Sequence, residues 1–393
     1  MKVLLVVDDY LPSSTKIAAK MMHELALEFI KRGNQVYVVT PGINLESSYY
    51  SFDLDGVKIY QFASGEIKNV SKFKRAINET LLSFRAWNSL KHILKQLNCE
   101  LIVYYSPSIF WGLFIRKLRD IWKARTYLIL RDFFPQWAID NGLLRSNSII
   151  TKFFQFFEKI NYSSADKIGL MSPGNLKWFG KKYKDQSKLE VLYNWVSDRP
   201  IKIESYPYRT RYNLHNKLVF FYGGNIGHAQ DMSQILRLAK NLRKNQDVYF
   251  VLVGTGDEVA LVRETIQKDS LTNLLLLDPV PQNEFIHMLA EFDIGLFCLN
   301  RDHTTHNFPG KILSYLVQSK PILGSVNPGN DLKEVIGNSK AGIVVEAGDD
   351  STFLEAATKL LDKNIRELYA KNCNVLLKQI FSVESACDRI QSK

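Results

Sequence analysis

The strongest constraint on the fold is a scheme that runs twice along the 393 residues: short β-branched apolar runs alternating with amphipathic helical patterns. "KVLLVVDDY" opens the chain as a buried parallel strand. "STKIAAKMMHELALEFIKRG" follows as a helix with Gly33 as its C-terminal cap, and "QVYVVTP" is the next strand. "YYSFDLDGVKIYQFA" predicts a hairpin turning at Asp55-Gly56. Helices are expected at about 72–97, 109–122, 147–162 and 174–182, interleaved with the strands "ELIVYYSP", "RTYLILRDFFP", "KIGLMSP" and "LEVLYNW". Past the midpoint the scheme restarts. "LVFFYGG", "DVYFVLVGTG", "NLLLLDPV", "IGLFCLN", "KPILGSV" and "AGIVVE" are strands, with helical patterns between them. Such alternation implies parallel sheets covered by helices on both faces, hence two doubly wound α/β domains. The polar segment 197–216, "SDRPIKIESYPYRTRYNLHN", is the expected linker.

Charge separates the halves. Residues 1–199 hold 29 Lys and Arg against 18 Asp and Glu, whereas the remainder holds 22 of each. All of the net +11 thus lies in one half, which predicts an anionic partner there: membrane, nucleic acid or pyrophosphate. No run reaches the roughly 18 apolar residues of a membrane span. Asp8-Asp9 cuts the first apolar run short, so a signal peptide is not expected. The cysteines Cys99, Cys298, Cys373 and Cys387 are scattered without metal-ligand spacing, which fits a reducing cytosol.

Three features carry chemistry. The turn Gly223–Gly227 joins a strand to a helix, where backbone N–H groups can face an anion. "VLVGTGDEVA" places Gly254 and Gly256 in a second such turn. With Asp278 downstream it partly matches a dinucleotide fingerprint, although Val259 stands at the third glycine position. A tight turn needing small residues explains the same glycines equally well. Lys311, entered through Pro309-Gly310, opens a helix and either leans over the mouth of the sheet as a phosphate cation or is an ordinary exposed helix lysine. "DLD" at 53–55 imitates a metal-binding DxD, but the Asp-Gly turn explains it and no metal is expected.

Taken in order, "LILRDFFPQWAIDNGLL", "KIGLMSP", "VLYNWVSD", "FYGGNIGHAQDM", "VLVGTGDE", "FPGKILSYLVQSKPIL" and "AGIVVEAGDD" resemble the retaining GT-B glycosyltransferases of family 4. The resemblance is greatest to bacterial N-acetyl-L-fucosaminyltransferases of O-antigen and capsule assembly. It spans roughly residues 2 to 350 and implies a GT-B fold, two Rossmann-like domains facing a central cleft. The acceptor domain would be 1–197 and the nucleotide-sugar domain 198–374, with a helix at about 375–393 packing back on the first. No cofactor is obligatory in that family.

The resemblance also implies roles. Gly223, Gly224, Asn225 and Gly227 would meet the donor diphosphate, Lys311 with Pro309 and Gly310 the sugar and phosphates, and Gly254, Gly256 and Val280 the nucleotide. His228 either donates to the donor or is a plain loop residue. Ser13, Ser14 and Thr15 would lie under the acceptor. Asp132 is the candidate to orient the acceptor or assist its proton; Arg131 either holds an acceptor pyrophosphate or pairs with Asp132. Three positions depart from the family pattern. Asn225, His228 and Gln230 stand where many members carry Arg and Lys, the usual glutamate pair would fall at His306 and Ser314, and Arg131 replaces a common histidine.

The expected activity is transfer of a sugar, N-acetyl-L-fucosamine foremost, from a UDP-sugar to a polyprenyl-diphosphate-linked saccharide. The enzyme would sit in the cytoplasm, peripheral on the inner face of an anionic membrane. The segments "SKFKRAINETLLSFRAWNSLKHILK" and "SIFWGLFIRKLRDIWKAR" mix cations with aromatic and aliphatic residues, as an interfacial helix does. The competing readings are an NAD(P)-dependent oxidoreductase built on Gly254, Gly256 and Asp278, a GT-B nucleotide-sugar epimerase, and a nucleic-acid binder using the basic half. The last has no recognised motif, so no nucleic acid is expected as a partner.

Overall fold

A computed structural model describes residues 1–14, 16–65, 77–140, 142–198, 207–302 and 308–392. The chain divides into two compact units: Met1–Trp195 with Val383–Lys393, and Val196–Ser382.

The first unit is built on β1 (Lys2–Val6), β2 (Gln35–Gly42), β3 (Tyr49–Leu54), β4 (Val57–Ala63), β5 (Leu101–Ser106), β6 (Arg125–Leu130), β7 (Lys167–Leu170) and β8 (Leu189–Val191). Their order is β3-β4-β2-β1-β5-β6-β7-β8. All pairs are parallel except the β3–β4 hairpin, whose Asp55 and Gly56 both have positive φ, as a two-residue hairpin turn requires. Alternation along β1 splits the core in two. Leu4 and Val6 face the helices Leu82–Leu97 and Gly112–Trp122, while Val3 and Leu5 face Ile17–Lys31. The helix Val383–Gln391 joins that second core through Val383, Ala386, Cys387 and Ile390, the i, i+3, i+4, i+7 stripe of an amphipathic helix. Arg32 fastens it by donating to Asp388 Oδ1 (2.6 Å) and the Glu384 carbonyl (3.1 Å).

The second unit carries β9 (Leu218–Asn225), β10 (Val248–Thr255), β11 (Leu274–Leu277), β12 (Ile294–Cys298), β13 (Ile322–Val326) and β14 (Gly342–Glu346), all parallel, in the order β11-β10-β9-β12-β13-β14. The boundaries expected at 197 and about 375 fall at Trp195 and Ser382. Residues up to Phe381 stay with the second unit because Leu377 and Phe381 are buried and the Phe381 carbonyl accepts from the Val196 N–H (2.9 Å).

The linker reading of 197–216 needs correction. Residues 199–206 lie outside the described residues, but Tyr208–Arg211 is a short helix packed on the second unit. Arg209 causes this: it donates to Asp293 Oδ2 (2.7 Å) and to the carbonyls of Glu291, Leu214 and Lys217. Tyr208 and Leu214 are buried beneath it.

Candidate active site

The sheet of the second unit reverses its strand order between β9 and β12, the place where a doubly wound sheet opens a crevice at its carboxyl ends. The turn after β9 lies there. Gly224 has φ +123°, and a Cβ on it would stand 3.7 Å from both Cε and Nζ of Lys311. Lys311 begins the helix Lys311–Val317, and Tyr315 one turn on anchors that helix by donating to the Leu296 (2.8 Å) and Phe221 (3.3 Å) carbonyls. The Tyr315 ring fits because Gly295 leaves it room.

Lys311 is therefore not an exposed helix lysine. Its stem is half-buried, but Nζ is shielded from solvent and has no hydrogen-bond partner among the described residues. The nitrogen stands over the Tyr222 ring, 3.5 Å from the centroid. Burial pushes the ammonium down to about 7, with the nearby Cys298 acting weakly in the other direction. An unpaired buried cation beside a glycine turn leaves a charge that an anion could compensate. Tyr222 was not among the residues the pattern singled out, because an aromatic at the end of a core strand carries no signal of its own.

The bed of N–H groups is smaller than the turn suggests. Ile226 N–H is committed to the Thr255 carbonyl (2.9 Å) and His228 N–H to Asp257 Oδ1 (3.2 Å). The Asn225 side chain donates to Gln230 Oε1 (2.6 Å). The His228 ring is mostly exposed, with Nδ1 3.5 Å from Glu258 Oε1. Gly254 and Gly256 lie directly behind this turn. A Cβ on Gly254 would come within 1.8 Å of the Gly224 carbonyl oxygen, and one on Gly256 within 2.2 Å of that of Ile226. The close approach of the two backbones thus requires glycine at both positions. Asp278 is exposed beyond the edge strand β11, and Val280 follows it half-buried. Pro309 and Gly310 are half-buried ahead of Lys311; His306 lies outside the described residues. A pocket of about 280 Å3 between Tyr208, Pro281 and His287 includes none of the residues named for the donor.

In the first unit, Asp132 and Arg131 follow β6. Burial raises the Asp132 carboxyl, with the nearby Trp137 indole and the Phe134 and Phe133 amides acting in the other direction. Arg131 corrects the expectation. Nε donates to Asn194 Oδ1 (2.7 Å), one terminal nitrogen to the Leu130 and Gly169 carbonyls (3.2 Å each), and the other to Leu192 (2.7 Å) and Tyr193 (3.2 Å). All five guanidinium donors are used, so Arg131 neither pairs with Asp132 nor has a donor left for a pyrophosphate. Desolvation lowers it to about 10. Ser13 is exposed, and Ser14 is buried with Oγ accepting from the Lys16 N–H (3.3 Å); Thr15 lies outside the described residues. In the DLD stretch, Asp53 pairs with Lys58 (2.9 Å) and Asp55 with His23 (3.0 Å).

The sequence pattern used Asp8 only to end a strand, yet the structure makes it a buried acid. Its oxygens accept from Trp111 Nε1 (2.7 Å) and Ser108 N–H (3.2 Å), and burial raises it to about 7.

The segments read as interfacial are divided between core and surface. In Leu82–Leu97 and Gly112–Trp122 the apolar residues Ala86, Leu90, Leu94, Phe114, Ile115 and Leu118 are core. The segment 71–76 lies outside the described residues. Ile77, Leu81, Phe84, Leu113 and Ile121 of the same two segments are exposed, and a further exposed apolar face lies on Ile149–Ser163, where Ile149 is 87% and Phe156 60% exposed.

Two doubly wound, mostly parallel α/β units are the architecture of the GT-B fold, and comparison with known proteins agrees on that fold. Residues 208–374 match the family described as "Glycosyl transferases group 1". That match covers less than half of the chain. Among its relatives, WbjE of Pseudomonas aeruginosa, named as a glycosyltransferase, is 26% identical over 55% of this chain. That match spans about half (54%) of WbjE's length. WcaI of Escherichia coli strain K12, named for glycosyl transfer in colanic acid biosynthesis, is 22% identical over 80% of this chain and 81% of its own. HepE of Anabaena, solved in complex with UDP and glucose, has the same fold at TM-score 0.65 and 13% identity, covering 99% of this chain and 98% of that one.

Proposed function

We propose that this protein is a retaining glycosyltransferase of bacterial surface-polysaccharide assembly, moving a sugar from a UDP-sugar to a polyprenyl-diphosphate-linked saccharide. The observation that carries the reading is the buried, unpartnered Lys311 ammonium beside Gly224. As the bond from the anomeric carbon to the diphosphate oxygen breaks, charge builds on that oxygen, and Lys311 would take it up. The acceptor oxygen bonds the anomeric carbon on the same face, and its proton passes to the departing phosphate oxygen. UDP is favoured as carrier by analogy with HepE, and the pathway by the name of WcaI. N-acetyl-L-fucosamine remains the leading sugar, on the resemblance alone. No metal or cofactor step enters this scheme.

The exposed Ile149, Phe153 and Phe156, with Lys152 and Lys159 on the same helix, support a peripheral site on anionic lipid at the cytoplasmic face. No described helix is long and apolar enough to cross a membrane.

The oxidoreductase reading loses its main support, since Gly254 and Gly256 are accounted for by the neighbouring backbone. Equilibrium dialysis against UDP and NAD separates the two: NAD binding without UDP binding would reject the transferase. A donor screen with a synthetic lipid diphosphate-linked GlcNAc acceptor then assigns the sugar. Free sugar-nucleotide isomer formed without acceptor would point to an epimerase instead.

A further inference from the structure

Buried side-chain atoms without a hydrogen-bond partner among the described residues include the Ser106 hydroxyl and the Lys311 ammonium. Leaving a charge in that condition costs far more than leaving a hydroxyl. Lys311 has a second peculiarity. Its nitrogen is shielded from solvent, yet an ammonium must come within about 2.8 Å of a phosphate oxygen to donate to it. Held as it is, Lys311 cannot touch the anion that its charge calls for. The nitrogen has to move before a donor phosphate meets it.

What holds it is one ring. Tyr222 is fully buried in β9 and presents its face 3.5 Å from Nζ. The far end of the same side chain is engaged too, because Oη donates to the Asn225 carbonyl in the glycine turn. Tyr222 thus touches both parts of the proposed donor site, the cation through its face and the turn through its hydroxyl. A phenylalanine would fill the same core position but would reach no carbonyl.

No described carboxylate pairs with the ammonium. Glu258, close enough for its charge to act on Tyr222, takes the Met232 N–H at Oε2 (3.3 Å) and stands 3.5 Å from His228 Nδ1. Cys298 is near Lys311, but burial pushes its thiol up to about 12, so it is no anion. A carboxylate partner would hold the lysine tightly, and a phosphate would have to displace it. An aromatic face attracts a cation more weakly than an anion does. Gly224 puts no side chain between Nζ and the turn, since a Cβ there would stand 3.7 Å from it. Rotation about the terminal torsions of the lysine, from one staggered well to another, swings the nitrogen off the ring.

We infer that Tyr222 is a positioning residue: its hydroxyl sets the glycine turn, and its ring holds the Lys311 ammonium until the donor's diphosphate draws it off. The inference rests on the glycosyltransferase reading and describes how the donor site of that reading is set.

The test reads the lysine directly in the full-length chain. Protons that face an aromatic ring resonate upfield. The Lys311 Cε methylene is observed in protein carrying 13C-lysine and assigned by its loss in Lys311→Met. Without ligand it should lie upfield of the other lysines. UDP should return it to their position, whereas uridine, which has no phosphate, should leave it upfield. Tyr222→Leu should abolish the upfield displacement. Tyr222→Phe should keep it and should bind UDP about tenfold more weakly by calorimetry, the worth of the lost hydrogen bond. Thermal unfolding of the same samples shows which variants are folded. If Tyr222→Leu fails to fold, the wild-type titration and Tyr222→Phe decide. A signal that stays upfield in the UDP complex, release by uridine, no upfield signal in the unliganded wild type, or unchanged UDP affinity in folded Tyr222→Phe would each overturn the inference. A wild type that binds no UDP would instead overturn the transferase reading.

Discussion

The Lys311 ammonium nitrogen lies 3.5 Å from the centre of the Tyr222 ring, beside the Gly224 turn. The ring face compensates part of the desolvation of the cation, and no carboxylate among the described residues takes up the rest. A charge held this way costs stability.

Replacing it should therefore separate stability from activity. Lys311→Met should raise unfolding stability by roughly 1–4 kcal/mol, because a buried ionisable group is removed at similar volume. The same change should lower transfer by about 100-fold or more, the usual loss when one transition-state donor is removed. Urea denaturation and UDP release measure the two. Wild-type turnover would sink the assignment of Lys311.

The pH dependence has a definite sign. The folded Lys311 sits near 7, well below the ordinary lysine value of 10.5. Between these values the unfolded chain holds a proton that the folded chain lacks, so stability rises with pH across that window. Below pH about 7 both forms are charged and the penalty is fully present. UDP, by supplying the missing anion, should bind more weakly as pH rises past 7 and should take up a proton on binding. Calorimetry in buffers of different ionisation enthalpy reads this, and no proton uptake at pH 8 would contradict it.

Arg131 should behave as a structural residue. Arg131→Ala leaves four carbonyls and Asn194 Oδ1 without their donor, which should destabilise the first unit by about 2–5 kcal/mol. Molecules that remain folded should bind UDP as wild type does. A stable variant with normal unfolding and lost transfer would restore a catalytic role.

The two glycine turns should respond differently to alanine. Gly254→Ala drives a methyl into the Gly224 carbonyl oxygen, so the fold itself should suffer, with a clear fall in melting temperature. Gly224→Ala meets no backbone, but its φ of +123° disfavours a side chain and the methyl would lie against Lys311. Weakened UDP binding out of proportion to lost stability is expected there. Equal melting curves for the two variants would argue against this packing.

Much of the architecture was legible in the linear pattern, because strand and helix periodicities are local. The β-branched run of β1, the Asp55-Gly56 hairpin and the restart at Leu218 each follow from near neighbours in sequence. So did the two candidate turns and the choice of Lys311 as the residue above them. Burial was not legible. Only the folded chain decides that Lys311 is an unpaired cation on an aromatic face, that Arg131 is exhausted by five acceptors drawn from residues as far as position 194, and that Gly254 is shaped by Gly224 rather than by a ligand. Asp8, Ser106 and Tyr222 lack any motif, and their character arises from desolvation and from partners distant in sequence. Composition and period determine which elements form. The ionisation and the free valence of a side chain depend on what the tertiary structure puts around it.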